Sequence, residues 1–254
     1  MTRIILNGYM GKMGRAVLRL AETHPRCEIV GGVDVVGTSN GLAFPTYGDI
    51  HHCERAADAV VDFSVVEAVP ALLAFGIARQ IPLVLCTTGL PAALLDEIRA
   101  ASQKVAIFQS ANMSLGINLL CNTLRRTAKL LQEAQFDIEI IEKHHNQKLD
   151  APSGTALMLA DTINQALESP LQCVYDRSGA LQKRSAQEIG IHALRGGTIV
   201  GEHTVLFAGT DEVLEFTHIA QSKEVFAVGA LNAAQFIKGK PPGLYTMQDL
   251  IESV

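Results

Sequence analysis

The chain has 254 residues, 48% of them hydrophobic and 19% charged, which at roughly 150 residues per domain means one or two domains and excludes a wholly disordered chain. Its 21 basic and 26 acidic side chains leave a net charge of −5. With no global positive field and no local basic patch to gather phosphodiester, nucleic acid is excluded as an expected partner.

Thr2 to Asn7 is rich in β-formers, and its Ile4-Ile5-Leu6 run is too short for a signal-peptide core. It leads into Gly8-Tyr9-Met10-Gly11-Lys12-Met13-Gly14, after which Met13, Val17, Leu18 and Ala21 recur at helical spacing. This reads as strand, glycine turn, helix. Cys27 to Asp34, Ala59 to Phe63, Leu83 to Cys86 and Val105 to Phe108 read as further strands. Between them, Ser64 and Glu67 have capping-box spacing ahead of a helix over Ala68 to Ala78, and Pro91 opens another to about Ser102. The alternation predicts an open parallel sheet covered on both faces, a Rossmann-type α/β domain.

The uncharged stretch between Lys104 and Arg125 contains Gln109, Ser110, Asn112, Ser114 and Asn118, too polar for lipid, so no membrane span is expected. From about residue 115 the pattern changes. A long helix (Ile117 to Glu133) and a strand (Phe136 to Lys143) precede a helix over Ala156 to Leu167. The strands Glu188 to Leu194, Thr198 to Ala208 and Val213 to Ala220 follow, joined by Arg195-Gly196-Gly197 and Gly209-Thr210-Asp211. These read as hairpins of an antiparallel sheet. A last helix (Val225 to Ile237) and the tail Met247 to Ile251 are expected to return to the first domain. The predicted fold is thus a Rossmann-type α/β domain plus a central α+β region with a mainly antiparallel sheet. The five cysteines are odd in number and widely spaced, so reduced, mostly buried thiols and a cytoplasmic location are expected.

A helix N-terminus presents free N–H groups, and glycines let a pyrophosphate approach the main chain. Gly8, Gly11 and Gly14 depart from the commoner Gly-x-Gly-x-x-Gly by having Met10 at the second glycine's place. A merely structural turn also uses such glycines. The context favours dinucleotide binding: a strand precedes, a helix follows, and Asp34 ends the next strand where a carboxylate can take both ribose hydroxyls of an adenosine. Asp34 repels a 2′-phosphate and is followed by Val35, so NADH is expected over NADPH, with Lys12 as the residue able to compensate. Cys86-Thr87-Thr88-Gly89 and Ser110-Ala111-Asn112-Met113 follow strands at the carboxyl edge, where small polar residues suit the nicotinamide amide and ribose; plain turns are the alternative.

The run from Glu139 to Ala156 is the most informative segment. Strand alternation puts Phe136, Ile138, Ile140, Glu142 and His144 on one face, so His144 points the way the apolar stripe points. Pro152-Ser153-Gly154-Thr155 then opens a helix whose N–H groups form a second anion site. Two histidines, Lys148 and that helix end predict a compact cationic pocket for a carboxylate or dicarboxylate. Metal is not expected, since His144 and His145 diverge and no further ligand has suitable spacing. On the residues alone, a solvated polar loop and an anion-binding acid/base site both remain open.

The segment Glu142 through Ala156 resembles, without a break, the Glu-x-His-His-x-x-Lys-x-Asp-x-Pro-Ser-Gly-Thr-Ala run of the 4-hydroxy-tetrahydrodipicolinate reductases, formerly dihydrodipicolinate reductases, of the diaminopimelate route to lysine. The likeness extends to Gly8–Gly14, Asp62-Phe63-Ser64, Thr87-Thr88-Gly89, Ala111-Asn112 and Gly201-Glu202-His203-Thr204. The resemblance implies NAD(P)H-dependent reduction of a small cyclic dicarboxylate, with His144 and Lys148 in proton transfer and His145, Gly154 and Thr155 binding its carboxylates. It also implies a dinucleotide-binding domain over 1–115 with 225–254 and a substrate domain over 116–224 whose sheets assemble a homotetramer; the residues read above as holding the cofactor are Gly8 to Met13, Asp34, Cys86 to Thr88 and Ser110 to Met113. The chain departs from common family patterns at Val35, at Cys86, where glycine is frequent, and at Lys223, where arginine is frequent. A dehydrogenase for another small acid and a non-catalytic dinucleotide sensor are the rival readings; the sensor has no need of His144 and Lys148 together.

Overall fold

A computed structural model describes residues 1–37, 41–179 and 181–253. The chain divides into two compact units, Met1–Leu115 with Lys223–Val254, and Gly116–Ser222. Val254, the last residue of the expected first domain, lies outside the described residues.

In the first unit, β1 (Thr2–Asn7), α1 (Lys12–Glu22), β2 (Cys27–Val33), β3 (Thr46–Tyr47), β4 (Ala59–Asp62), α2 (Val69–Arg79), β5 (Leu83–Leu85), α3 (Ala92–Ser102) and β6 (Ala106–Gln109) alternate along the chain. Alternate residues of each strand serve opposite faces of the sheet. Ile4 and Leu6 of β1, Val61 of β4 and Phe108 of β6 join one apolar core, whereas Ile5, Val60 and Ile107 join another with Leu72, Phe75 and Ile98 of α2 and α3. Ile4, Ile5 and Leu6 are all fully buried, each contributing about 2 kcal/mol of apolar burial. That is the signature of a central parallel strand.

The second unit contains α4 (Leu115–Glu133), β7 (Asp137–His144), α5 (Gly154–Ala166), β8 (Gln172–Val174), β9 (Glu188–Arg195), β10 (Gly201–Ala208) and β11 (Val213–Ala220). The chain then returns to the first unit as α6 (Glu224–Ile237), β12 (Gly243–Tyr245) and α7 (Met247–Glu252). The first sheet runs β12-β6-β5-β4-β1-β2-β3 with every pairing parallel, and the second runs β11-β10-β7-β9-β8. Ile117, Leu120 and Leu124 of α4 and Leu159 and Ile163 of α5 pack with Ile138 and Ile140 of β7, covering one face of that second sheet.

Three expectations need correction. The segments 188–194 and 201–208 are not a hairpin: β7 lies between them, antiparallel to β10 and parallel to β9. Gly196 and Gly197 instead bond the chain leaving β7, with Gly196 N donating to His144 O and Asn146 N donating to Gly197 O. Alternation specifies a face but not a neighbour, and a glycine pair between two strands is compatible with either arrangement. The Ser64–Glu67 capping box does not form either. Ser64 Oγ donates to Asp62 Oδ1 at 2.6 Å, and α2 begins only at Val69 behind a 3-10 turn over Val66–Ala68, so Ser64 does not sit at the helix N-cap. Finally, β3, β8 and β12 went unpredicted; at two or three residues each they show no periodicity to read.

Candidate active site

The glycine turn is built by exclusion. Gly8 has φ +78°, and a Cβ on it would lie 2.7 Å from Phe63 O, while one on Gly14 would lie 2.2 Å from Gly8 O. Any side chain at either place would break the contact between turn and helix. Gly11 caps α1 with no side-chain bond, and the first turn carries no acidic residue. This end therefore fits the pyrophosphate of a dinucleotide, with Gly8, Met10, Gly11 and Lys12 around it. Asp34, just after β2, accepts Met10 N on Oδ2 and Val36 N on Oδ1, both at 3.0 Å. One bond per oxygen leaves each a lone pair for a ribose hydroxyl.

The side chains of several residues expected at the cofactor are engaged within the protein. Tyr9 and Met113 are buried in the apolar core, and Met13 packs against it, so their side chains are structural and only their backbones remain for a cofactor. Cys86 is buried too, its thiol pushed well above the ordinary range by burial and then by the Asp62 carboxylate. Thr87 is buried and donates to Asp62 Oδ2 at 2.6 Å, whereas Thr88 and Ala111 are exposed. Ser110 Oγ donates to Asn112 O, and Asn112 Oδ1 accepts Ser114 N, folding the second loop on itself.

In the second unit, β7 alternates as expected: Ile138, Ile140, Glu142 and His144 are buried on one face. Glu142 is 0% exposed and all of its acceptor capacity is used. Oε1 takes Arg195 NH2 at 2.8 Å and Ser153 N at 2.9 Å. Oε2 takes Arg195 NH1 at 2.8 Å and lies 2.5 Å from His144 Nδ1. Burial alone would raise this carboxyl, but Arg195 and then His144 more than offset it and hold it below the usual range. Burial likewise lowers His144, with Glu142 pulling only partly the other way. Near neutral pH His144 therefore donates Nδ1–H to Glu142 and keeps Nε2 free as an acceptor. A Cβ on Gly201 would sit 3.2 Å from that Nε2, so glycine there keeps the ring edge clear.

His203 stands edge-on to His144, ring centroids 5.1 Å apart, with its Nε2 3.0 Å from Ser153 Oγ. Burial, and next the His144 charge, push it down to about 4. Ser153 Oγ caps α5 by accepting Ala156 N, so the helix predicted from Ala156 begins at Gly154. Lys148 Nζ pairs with Asp150 at 2.8 Å. That partner first, with Gly154 N also contributing, holds the Asp150 carboxyl below its ordinary range. The pocket is thus less cationic than predicted, since Glu142 and Asp150 offset Arg195 and Lys148. His145 is half-buried just beyond β7, Thr155 sits in the first turn of α5, and Leu149 between the paired charges is 99% exposed.

Glu142, Arg195, Ser153 and His203 carry no assigned role at the sequence level. Glu142 was legible as a charged residue on an apolar strand face, which signals a paired buried carboxylate. His203 carries the same signal, sharing a strand face with Val205 and Phe207, whereas Arg195, 53 positions from Glu142, carries none. Among the described residues no cluster of His, Cys, Asp or Glu is arranged to hold a metal ion, and no helix is long and apolar enough to cross a membrane.

A glycine turn at the carboxyl edge of a parallel sheet, joined to a second unit with a buried histidine–carboxylate pair, is the plan of a nicotinamide-dependent oxidoreductase. Residues 2–113 match the family Dihydrodipicolinate reductase, N-terminus, and residues 116–251 match Dihydrodipicolinate reductase, C-terminus. The 4-hydroxy-tetrahydrodipicolinate reductase of Caldanaerobacter subterraneus subsp. tengcongensis is 52% identical over 252 residues, covering 99% of both chains. That of Clostridium tetani is 49% identical, covering 100% of this chain and 98% of the relative. Among solved structures, a dipicolinate-bound dihydrodipicolinate reductase from Paenisporosarcina sp. TG-14 superposes with TM-score 0.81 at 23% identity, covering 97% of each chain. A probable dehydrogenase from Thermotoga maritima shares the fold at TM-score 0.62 and 12% identity, covering 99% of this chain and 93% of the other. The chain belongs to the dihydrodipicolinate reductase family and is an NAD(P)H-dependent oxidoreductase.

Proposed function

We propose that His144 and Lys148 handle the proton in the reaction this family membership assigns to the chain, the NAD(P)H-dependent reduction of 4-hydroxy-tetrahydrodipicolinate in diaminopimelate and lysine biosynthesis. The Glu142–His144–Arg195 assembly carries the reading. A bound nicotinamide supplies hydride to the fourth ring carbon of the dehydrated substrate. The chain's residues bind the two carboxylates, exclude water and deliver a proton to the adjacent carbon. With His144 held below its ordinary range, Lys148 is the proton donor, and the free Nε2 of His144 orients substrate and proton. NADH oxidation with enzymatically generated 4-hydroxy-tetrahydrodipicolinate tests the whole reading; absence of turnover overturns it.

His145, Gly154 and Thr155 take the substrate carboxylates in this proposal. Thr155→Ala is expected to raise KM about tenfold with kcat little changed, the scale of one hydrogen bond to a charged group. A fall in cofactor affinity instead assigns this helix end to the other ligand. In the first unit, Gly8 to Met13, Asp34 and the loops after β5 and β6 hold the cofactor. NADH is expected to bind roughly tenfold tighter than NADPH, because Asp34 accepts ribose hydroxyls and repels a 2′-phosphate. Titration of both cofactors checks it, and an NADPH preference moves the 2′-phosphate to Lys12.

The same reading makes the first unit the dinucleotide domain and the second the substrate and assembly domain of a cytoplasmic homotetramer. On the sheet face away from α4 and α5, half-exposed Leu194 and Ile219 flank the Lys143–Glu202 ion pair, a mixed apolar and charged surface suited to a second copy.

A further inference from the structure

At the carboxyl edge of the first sheet lies a carboxylate that the proton chemistry does not use. Asp62 ends β4 and is 0% exposed. Its Oδ1 accepts Asn7 Nδ2 at 2.8 Å, Ser64 Oγ at 2.6 Å and Ser64 N at 3.1 Å, and its Oδ2 accepts Thr87 Oγ1 at 2.6 Å. Asn7 ends β1 and Thr87 follows β5, so one carboxylate ties together the ends of three neighbouring strands. Hydroxyl donors at 2.6 Å are the short, charge-assisted kind that an ionised carboxylate attracts. Every one of these donors is neutral, and among the described residues no Lys, Arg or His pairs with Asp62. The charge is solvated by fixed dipoles but not cancelled. It lies between β1 and β4, where the strand order reverses and an open α/β sheet takes its ligand.

We infer that Asp62 is a positioning residue whose uncancelled charge, set beneath the nicotinamide half of the cofactor, biases the site toward the oxidised ring and so toward hydride donation. The inference rests on the cofactor placement proposed above. With the adenosine ribose at Asp34 beyond β2 and the pyrophosphate at α1, continuity of the molecule puts the nicotinamide half on the other side of β1, over β4 and β5. Hydride donation carries two electrons and a proton from the ring to the substrate carbon, leaving one unit of positive charge on the ring. A fixed anion below strengthens its interaction as that charge develops, which lowers the barrier and not merely the ground state. The Asn7, Ser64 and Thr87 dipoles hold the carboxylate in place, so no reorganisation is needed as the reaction proceeds.

The measurement is the ratio of NAD+ to NADH dissociation constants on the full chain, read by nucleotide fluorescence and competition. Asp62→Asn is expected to raise that ratio about tenfold, chiefly by weakening NAD+, the scale of one charge pair at partial screening. Ser64→Ala keeps the charge and is expected to move the ratio less than about twofold. Should Asp62→Asn fail to fold, Ser64→Lys cancels the charge while retaining the Asn7 and Thr87 donors, and is expected to shift the ratio in the same direction. An unmoved ratio in a folded charge-cancelling variant overturns the inference and leaves Asp62 as a scaffold. Asp34→Ala separates the two failures: unchanged NADH affinity there overturns the cofactor placement, whereas weakened affinity with an unmoved Asp62→Asn ratio overturns the role of Asp62 alone.

Discussion

His144→Gln and Lys148→Ala are each expected to lower kcat by about 100-fold or more while cofactor binding stays near normal, the usual scale for a lost general acid or its partner. The two lie four residues apart at the end of β7, and each is held by its own carboxylate: His144 by Glu142, Lys148 by Asp150. For the single proton-transfer step proposed for them, the double variant is expected to lose far less than the product of the single losses. Full activity in either variant removes that residue from the mechanism. Full activity in both returns the segment to a solvated loop.

Arg195→Met is expected to cost about 3 kcal/mol of stability, the lower part of the range for breaking a buried ion pair. That corresponds to roughly 6–12 °C in Tm for a chain of this size. Glu142 has no access to water, so losing the guanidinium strands a buried charge with only Ser153 N and His144 for support. The linkage sign follows from the two shifts. Glu142 is held low by Arg195, so its stabilisation is present at neutral pH and disappears as the pH falls through its depressed pKa. His203, pushed down to about 4, stays neutral in the folded chain while the unfolded chain takes up a proton below about 6.5, so it too destabilises the fold across that window. Without Arg195 the carboxyl rises, and acid unfolding is expected to begin at a higher pH. Thermal unfolding against pH reads both effects; an unchanged Tm shows that the pair contributes nothing net.

Periodicity and local chemistry encode part of this molecule within short stretches of the chain. The glycine turn was legible because Gly8 and Gly14 occupy places where a Cβ meets backbone, a constraint that acts within a few residues. The burial of His144 was legible because it shares a strand face with Ile138 and Ile140. The continuous run from Glu142 to Ala156 marked the family. Which strand lies beside which, and therefore which residues pair across long separations, is set by the folded sheet as a whole. Alternation predicted strands over 188–194 and 198–208 but paired them with each other, whereas β7 sits between them. That insertion brings Arg195 from one neighbour and His203 from the other to Glu142 and His144. Strand pairing in a sheet is settled by the collective burial of its apolar face, a sum over the whole unit. The partners that hold the His144 ring, and the neutral donors around Asp62, come from that sum, because a hydrogen bond across fifty residues leaves no periodic trace in the chain.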